Sequence, residues 1–333
     1  MNAMERVRRA IHFRGPDRIP QHLYDGGPND VCIIWPPGPP PLQDWVNEGD
    51  QDRLIDAWGS VCYRAAGGVL GFGEVLEPAI KDITRQQDCV FPDLNNPKYV
   101  DGVRERIREN TAGDNPQYFV GKMPFGSLFE GLHKIVGLEP LFIAFYEAPE
   151  HVHALVSRYA EAQRESIRLL HSVGCHGVLG YDDWGLQERL LVGLDLIEEF
   201  FLPHYRQNWA LAHELGMDVW LHSCGHIVNV LPKLIDAGLN VIQMDQQENM
   251  GLENLGRDFG GKIAFWSPVD IQRTMITGTP DDVRAYVRRM IQTLGSFNGG
   301  FISKAYPTPK DVHHSEANTA AMCAAFREFE ACV

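Results

Sequence analysis

The chain has 333 residues, 44% of them hydrophobic, and a formal net charge of −14. This length allows one large domain or two average ones, and so acidic a protein repels a phosphate backbone, which argues against a nucleic-acid partner. The seven cysteines are odd in number and their spacing forms no disulfide framework, which indicates a reducing compartment, the cytoplasm.

The first segment, MNAMERVRRAIHF, predicts a short amphipathic helix with Met4, Val7 and Ile11 on one face. It lacks the continuous apolar stretch of a signal peptide. No apolar run in the chain approaches the length that is needed to cross a membrane. We therefore expect a cytoplasmic protein that has no membrane partner.

The proline-rich segment 33–45, IIWPPGPPPLQDW, cannot form a central strand. It is either a surface loop or a lid over the mouth of a barrel, and the loop is favoured because proline runs are usually spacers. We predict a single domain over residues 1–333. Residues 1–115 would hold the N-terminal helix, this loop and an extension, and residues 116–333 would form the main barrel.

From residue 118 onward, short apolar runs alternate with amphipathic helices. The run YFVGKMPFG (118–126) predicts an early strand, with helices to follow near 127–136 and 149–171. Five more strand–helix units follow, with predicted helices near 194–215, 227–237, 251–258, 281–294 and 315–330. This alternation indicates a parallel sheet. Without a nucleotide-binding glycine loop, it favours an α/β fold of the (β/α)₈ TIM-barrel class.

The active sites of such barrels lie at the C-terminal ends of the strands. In VWLHSCGHI (219–227), a predicted strand ends in His222 and Cys224, whose side chains point to the same face. An imidazole and a thiolate are half of a zinc site. The alternative is a buried cysteine beside a hydrogen-bonded histidine.

The preceding strand ends in Asp182 and Asp183, of which only one should enter the barrel. That carboxylate would be a general acid or base, or would hold a polar substrate; the alternatives are a helix cap and a salt bridge to Arg189. One residue of register decides which aspartate faces inward. Asp270 is more typical of a cap for the turn that follows it. The pair His313–His314 is predicted to lie on the solvated surface.

Seven segments of the chain resemble the uroporphyrinogen decarboxylase superfamily, and within it the cobalamin-related methyltransferases and O-demethylases more than the porphyrin enzyme. In chain order they are ERVRRAIHFRGPDRIP, CVFPDLNNP, SLFEGLHKIVGLE, YDDWGLQ, WLHSCGHI, FWSPVDIQRTM and GGFISKAYPTP. The resemblance covers nearly the whole chain and implies a TIM barrel with a zinc ion in its mouth. It places the family's zinc ligands on His222 and Cys224, and its aspartate–tryptophan–glutamine segment on Asp183, Trp184 and Gln187.

Two features depart from the family's pattern. The arginine-rich N-terminal segment with which porphyrin decarboxylases hold the substrate carboxylates is not found, so porphyrin decarboxylation is not expected. The third zinc ligand, usually a cysteine in the last strand, is missing from GGFISKAYPTPKDV. Because a catalytic zinc normally has three protein ligands, Tyr306, Asp183 and His226 become candidates for completing the site.

The leading hypothesis is a zinc-dependent methyltransferase that moves a methyl group between a small donor, for example a methoxylated aromatic, and a corrinoid carried by a partner protein. Zinc on His222 and Cys224 would act as a Lewis acid, and Asp183 would orient the substrate or transfer a proton. The predicted substrate-binding residues are Met123, Phe125, Asp182, Trp184, Gln187, Asp245, Gln246, Trp266 and Asp270.

Two other hypotheses remain open. One is a metal-independent lyase or decarboxylase of a small carboxylate, with Asp183 and Tyr306 as its acid–base groups. The other is a barrel that binds a small molecule without turnover.

Overall fold

The computed structural model describes residues 1–36, 38–66, 73–124 and 126–331. Within these ranges, eight strands form a parallel sheet that curves into a nearly closed barrel, and four form a separate antiparallel sheet. The strands are β1 (Gln21–His22), β2 (Val31–Ile34), β3 (Gln43–Asn47), β4 (Gln51–Ile55), β5 (Val61–Ala65), β6 (Glu74–Glu77), β7 (Tyr118–Lys122), β8 (Gly177–Tyr181), β9 (Asp218–His222), β10 (Val241–Gln243), β11 (Ala264–Ser267) and β12 (Phe301–Lys304). Around the barrel the order is β1-β12-β11-β10-β9-β8-β7-β2, which confirms the predicted TIM barrel.

Helices pack on the outside of the barrel and close its N-terminal end. They are α1 (Ala3–Ile11), α2 (Asp101–Thr111), α3 (Leu128–Val136), α4 (Leu138–Glu147), α5 (Pro149–Ser172), α6 (Leu194–Leu196), α7 (Leu202–Glu214), α8 (Leu231–Asp236), α9 (Leu252–Phe259), α10 (Thr274–Thr277), α11 (Pro280–Leu294) and α12 (Glu316–Glu328). A π-helical segment, Ile197–Phe201, joins α6 to α7. Of these helices, all within the described residues, none is long and apolar enough to cross a membrane.

The barrel interior is filled by apolar side chains, so the barrel is a packed core rather than a pore. Tyr118, Leu179, Trp220 and Ile302 belong to this inner cluster. The predicted N-terminal helix, α1, contributes Val7, Ala10 and Ile11 to the same cluster and contacts β7 and β12. Since α1 closes the N-terminal end, the C-terminal end is where a ligand can enter.

The C-terminal half follows the predicted pattern closely. Each predicted helix is present, and α11 begins at Pro280, as its position predicts. A reciprocal cap supports this start: Asp282 N donates to Thr279 Oγ1 at 3.3 Å, and Thr279 N donates to Asp282 Oδ2 at 2.8 Å. Only α8 is clearly shorter than predicted, because residues 227–230 form a turn before it.

The N-terminal half differs more from the prediction. Two barrel strands, β1 and β2, lie before residue 116, and the antiparallel sheet β3–β6 was not predicted. The strands of that sheet are four or five residues long; β3 and β6 are largely exposed and β4 and β5 are mostly buried or half-buried, so the sheet carries little hydrophobic alternation. The described prolines of segment 33–45, namely Pro36, Pro39, Pro40 and Pro41, lie between β2 and β3, outside any ladder.

A buried aspartate connects the two strands at which the barrel closes. Asp30, directly before β2, donates its backbone N–H to Gln21 O in β1, and its Oδ2 accepts from Gln21 N, both at 2.8 Å. The same carboxylate accepts from Arg6 at 2.6 Å and from Arg18 at 2.8 Å. Asp30 is only 1% exposed, so water cannot replace these contacts. The closure of the barrel between β1 and β2, which we call the seam, therefore depends on one carboxylate.

Replacing Asp30 by alanine should lower the free energy of unfolding by about 3 kcal/mol, because it leaves the largely buried Arg6 without one of its partners. Asp114→Ala, at an exposed position, is the matched control and should change the value by less than about 0.5 kcal/mol. Urea unfolding of the two variants beside the wild type measures both values. Equal midpoints for Asp30→Ala and Asp114→Ala would contradict this role of the seam.

Candidate active site at the C-terminal end of the barrel

The pairing of three neighbouring strands places their last residues in one row. Tyr181 at the end of β8 pairs with His222 at the end of β9, and His222 pairs in turn with Gln243 at the end of β10. Because parallel strands end at the same edge of the sheet, the residues that follow these three also meet there.

Asp183, His222 and Cys224 form a cluster at this edge of the sheet. One donor atom from each of the three lies within 4.8 Å of the others. His222 Nε2 is 3.3 Å from Cys224 Sγ and 3.3 Å from Asp183 Oδ1. Asp183 Oδ1 also accepts the backbone N–H of Cys224 at 2.9 Å. We call these three residues the triad.

Charge coupling within the triad is strong. Burial alone would raise the pKa of Asp183, but hydrogen bonds from His222 and Cys224 hold it at about 2. Burial opposes protonation of His222, yet Cys224 and Asp183 raise its pKa well above the ordinary value. Burial also raises the pKa of the Cys224 thiol. The site therefore stabilises the ionised carboxylate of Asp183 beside the cationic ring of His222. A bound cation could replace the positive charge of that ring.

Two glycines allow the loops after β8 and β9 to touch. A Cβ on Gly185 would lie 2.6 Å from Cys224 O, and one on Gly225 would lie 2.5 Å from Leu186 O, so neither position has room for a side chain. Gly225 also has a φ of +74°, which L side chains rarely adopt. This close approach lets Gly185 N donate to Cys224 O at 3.1 Å and holds the thiol beside Asp183.

A second polar group lies behind His222. Gln243 accepts from His222 Nδ1 and donates from Nε2 to Asp245 Oδ1 at 2.6 Å. Asp245 also accepts from Lys304 Nζ at 3.2 Å and from the Tyr306 hydroxyl. Burial would raise the pKa of Asp245, but Lys304 and the other donors lower it below the ordinary value. Asp245 is thus ionised and fully partnered.

The triad has the donor set of a zinc site. A carboxylate oxygen, an imidazole nitrogen and a thiolate sulfur are all zinc ligands, and three protein ligands are what catalytic zinc sites use. His222 Nδ1 is engaged by Gln243, which leaves Nε2 for an ion. Of the three candidates for the missing ligand, Asp183 joins the cluster. Tyr306 donates to Asp245, and His226 is not a member of the group found in the described residues.

Asp182 and Trp184 point away from the triad. Asp182 is fully buried and accepts the N–H groups of Leu128 and Glu130 at 3.0 and 2.7 Å, at the start of α3. Trp184 is fully buried and stacks on Phe129, with ring centroids 5.0 Å apart. Asp183 is therefore the aspartate that faces the mouth, a choice that the sequence left open.

The other predicted residues occupy varied places. Gln246 accepts from Gly225 N at 2.5 Å and so supports the loop that carries Cys224. Gln187 accepts from Asn249 at 3.0 Å on the surface. Asp270 accepts from Arg273 N at 2.8 Å, as a turn cap does. Trp266 is buried in the barrel, with its ring 5.4 Å from that of Trp220.

The remaining predictions concern Phe125 and the pair His313–His314. Phe125 lies outside the described residues. The prediction that His313–His314 is solvated is wrong for His314, which is 5% exposed and packs edge-on against Tyr306 at 5.9 Å. The surface prediction failed because the ring of His314 packs against Tyr306, just after the last strand, rather than facing solvent.

A cavity of about 400 Å³ lies at the ends of β7 and β8; Tyr181, the strand neighbour of His222, lines it, but the three triad residues do not. Its wall includes the strand-end residues Lys122 and Tyr181, together with Met123, whose role in substrate binding stays a prediction. Residues of the proline-rich segment and of the antiparallel sheet form most of the rest, among them Trp35, Pro36, Pro39, Pro41, Trp45, Leu54 and Val75. The described residues of segment 33–45 thus line a cavity at the ends of β7 and β8, which favours its interpretation as a lid over that as a spacer loop.

Sequence reasoning missed Gln243 and Tyr181. Each is the last residue of an apolar run. Because such a run as a whole is typical of a buried strand, its last residue does not stand out as a candidate site residue. Gln243 could have been found by its spacing, because it lies two residues before Asp245 and so shares a face with it at the strand end.

Comparisons with known proteins agree with the barrel fold. A methyltransferase from Methanosarcina mazei superposes with a TM-score of 0.68 at 14% identity over 99% of each chain, which shows a shared fold. A D-psicose 3-epimerase matches 70% of this chain and 84% of its own at 12% identity, but its TM-score of 0.43 is too low to support a conclusion. A search of curated proteins finds no match. The family model for uroporphyrinogen decarboxylase (URO-D) matches residues 125–328, more than half of the sequence, and the chain belongs to that family.

Proposed function

We propose that this protein is a zinc-dependent methyltransferase. It would move a methyl group between a small donor and a corrinoid carried by a partner protein. The observation that carries the proposal is the triad, a set of three zinc-type donors within 4.8 Å at the end of the barrel where catalysis occurs in this fold. The fold shared with the Methanosarcina mazei methyltransferase supports it.

His222, Cys224 and Asp183 would hold the metal, with Asp183 in place of the cysteine that the family resemblance leads one to expect. A bound zinc ion supplies a Lewis acid that can polarise the leaving atom of a methyl donor. The protein's own contribution is to orient these donors. Asp183 is held by the Cys224 N–H at 2.9 Å, and His222 by Gln243. The loop contact at Gly185 and Gly225 prevents the thiol from moving away from the other two.

The cavity at the ends of β7 and β8 would bind the methyl donor. Its walls are largely aromatic and apolar, with Trp35, Trp45 and Tyr181 prominent, and its volume of about 400 Å³ suits a small aromatic molecule. Tyr181 lies at the boundary, since it lines the cavity and pairs with His222 along the strands. A methoxylated aromatic donor would therefore place its methyl group toward the triad.

A second function, a metal-independent lyase or decarboxylase of a small carboxylate, is favoured by a different observation. Lys304, 8% exposed, lies in the last barrel strand and pairs with Asp245 at 3.2 Å. The family resemblance leads one to expect a thiolate near this strand, and a buried ammonium there could bind a substrate carboxylate instead.

Methyl transfer tests the first function. Zinc-loaded protein, incubated with methoxylated aromatic compounds and cob(I)alamin, free or protein-bound, should form methylcobalamin, followed by its absorbance. Loss of an outer hydrogen-bond partner of a metal ligand typically lowers activity about 10–100-fold. His222→Ala and Cys224→Ala remove the ligands themselves, so each should lower the rate of methyl transfer by more than that. Cys89→Ala, at a half-buried cysteine outside the triad, is the control and should retain the activity. If the zinc-loaded wild type transferred no methyl group from any of the donors, the proposal would be wrong.

Chelation separates the two functions. If zinc is required, a strong chelator should abolish activity, and added zinc should restore it. An activity on small carboxylates that survives chelation, but is lost in Asp183→Ala, would support the metal-independent reaction instead. The measurement is the turnover rate before chelation, after it and after zinc is returned.

A further inference from the structure

Behind the triad, a buried chain of hydrogen bonds ends on His222. It runs from Lys304 and Tyr306 to Asp245, from Asp245 to Gln243, and from Gln243 to the Nδ1 of His222. Gln243 is 3% exposed and Asp245 is 2% exposed, so bulk water cannot take over either role. Each group in this chain therefore constrains the next.

The charge on Asp245 determines the direction of the Gln243 amide. An ionised carboxylate only accepts hydrogen bonds, so the side-chain NH₂ of Gln243 must face Asp245, at 2.6 Å. Lys304 and Tyr306 donate to the same carboxylate and keep it in this state. The carbonyl oxygen of Gln243 is consequently left to face His222.

The Gln243 carbonyl in turn determines the tautomer of His222. A carbonyl oxygen can only accept, so His222 must carry a hydrogen on Nδ1. In a neutral imidazole the lone pair is then on Nε2. That atom is the one that faces the triad, 3.3 Å from Cys224 Sγ and 3.3 Å from Asp183 Oδ1.

We infer that Gln243 is a positioning residue, which fixes the tautomer and the ring orientation of His222 for metal binding. Asp245, held by Lys304 and Tyr306, sets the direction of the Gln243 amide. This rests on the proposed function in one respect, namely that the triad binds zinc. Partners that hold the second nitrogen of a metal-bound histidine raise its basicity and fix its geometry, and their loss typically lowers metal affinity 10–100-fold.

The test compares two buried glutamines. Gln243→Met keeps the side-chain length but removes both hydrogen bonds, while Asp245 retains Lys304 and Tyr306. It should raise the dissociation constant for zinc by about 10–100-fold in a competition titration with a chromophoric chelator. Gln247→Met is the matched control. Gln247 is also fully buried, but its amide donates to Met244 O and Pro268 O at 3.0 and 3.1 Å, away from His222. This variant should bind zinc as the wild type does.

A second measurement does not require Gln243→Met to fold. Nitrogen-15 NMR of the histidine rings in zinc-loaded wild type should show His222 with a protonated Nδ1 and a metal-bound Nε2, assigned by comparison with His222→Ala. Metal on Nδ1, or equal zinc affinity in Gln243→Met and Gln247→Met, would overturn the inference and leave the proposed function standing. A wild type that binds no zinc would overturn the proposed function and the inference together.

Discussion

The register of three parallel strands determines the candidate site. Tyr181, His222 and Gln243 end β8, β9 and β10 at the same level, and each is the pairing partner of the next. A shift of one residue in β9 would turn His222 outward and break both of its connections. The apolar interior resists such a shift, because Leu179 and Trp220 in the same strands pack inside the barrel. The polar site thus depends on the packing of the core beneath it.

The site consists of two polar groups that share His222. In front are Asp183 and Cys224, on loops that can touch only because Gly185 and Gly225 have no side chains. Behind is a fully buried group in which Asp245 balances Lys304. Buried charge is costly unless it is paired and hydrogen-bonded, so the rear group holds a fixed arrangement. The front group is half-buried, and Tyr181, the strand neighbour of His222, lines a cavity at the ends of β7 and β8.

Much of the fold could be predicted from sequence, because apolar runs alternate with amphipathic helices after residue 118. The antiparallel sheet β3–β6 could not, since its outer strands, β3 and β6, are largely exposed and lack a hydrophobic period. His222 and Cys224 were predicted as a pair by their strand spacing, and the structure brings them together. The choice between Asp182 and Asp183 needed coordinates. Asp182 N bonds to His222 O at 3.0 Å, which extends the strand by one residue and turns the Asp182 side chain toward α3.

The zinc content of the purified protein tests the central claim most directly. Mass spectrometry after zinc loading and desalting should find stoichiometric zinc in the wild type and a clear loss in Asp183→Ala, His222→Ala and Cys224→Ala. His226→Ala should retain the metal, because His226 lies outside the triad. A wild type that holds no zinc, or one whose zinc survives all three substitutions in the triad, would contradict the account.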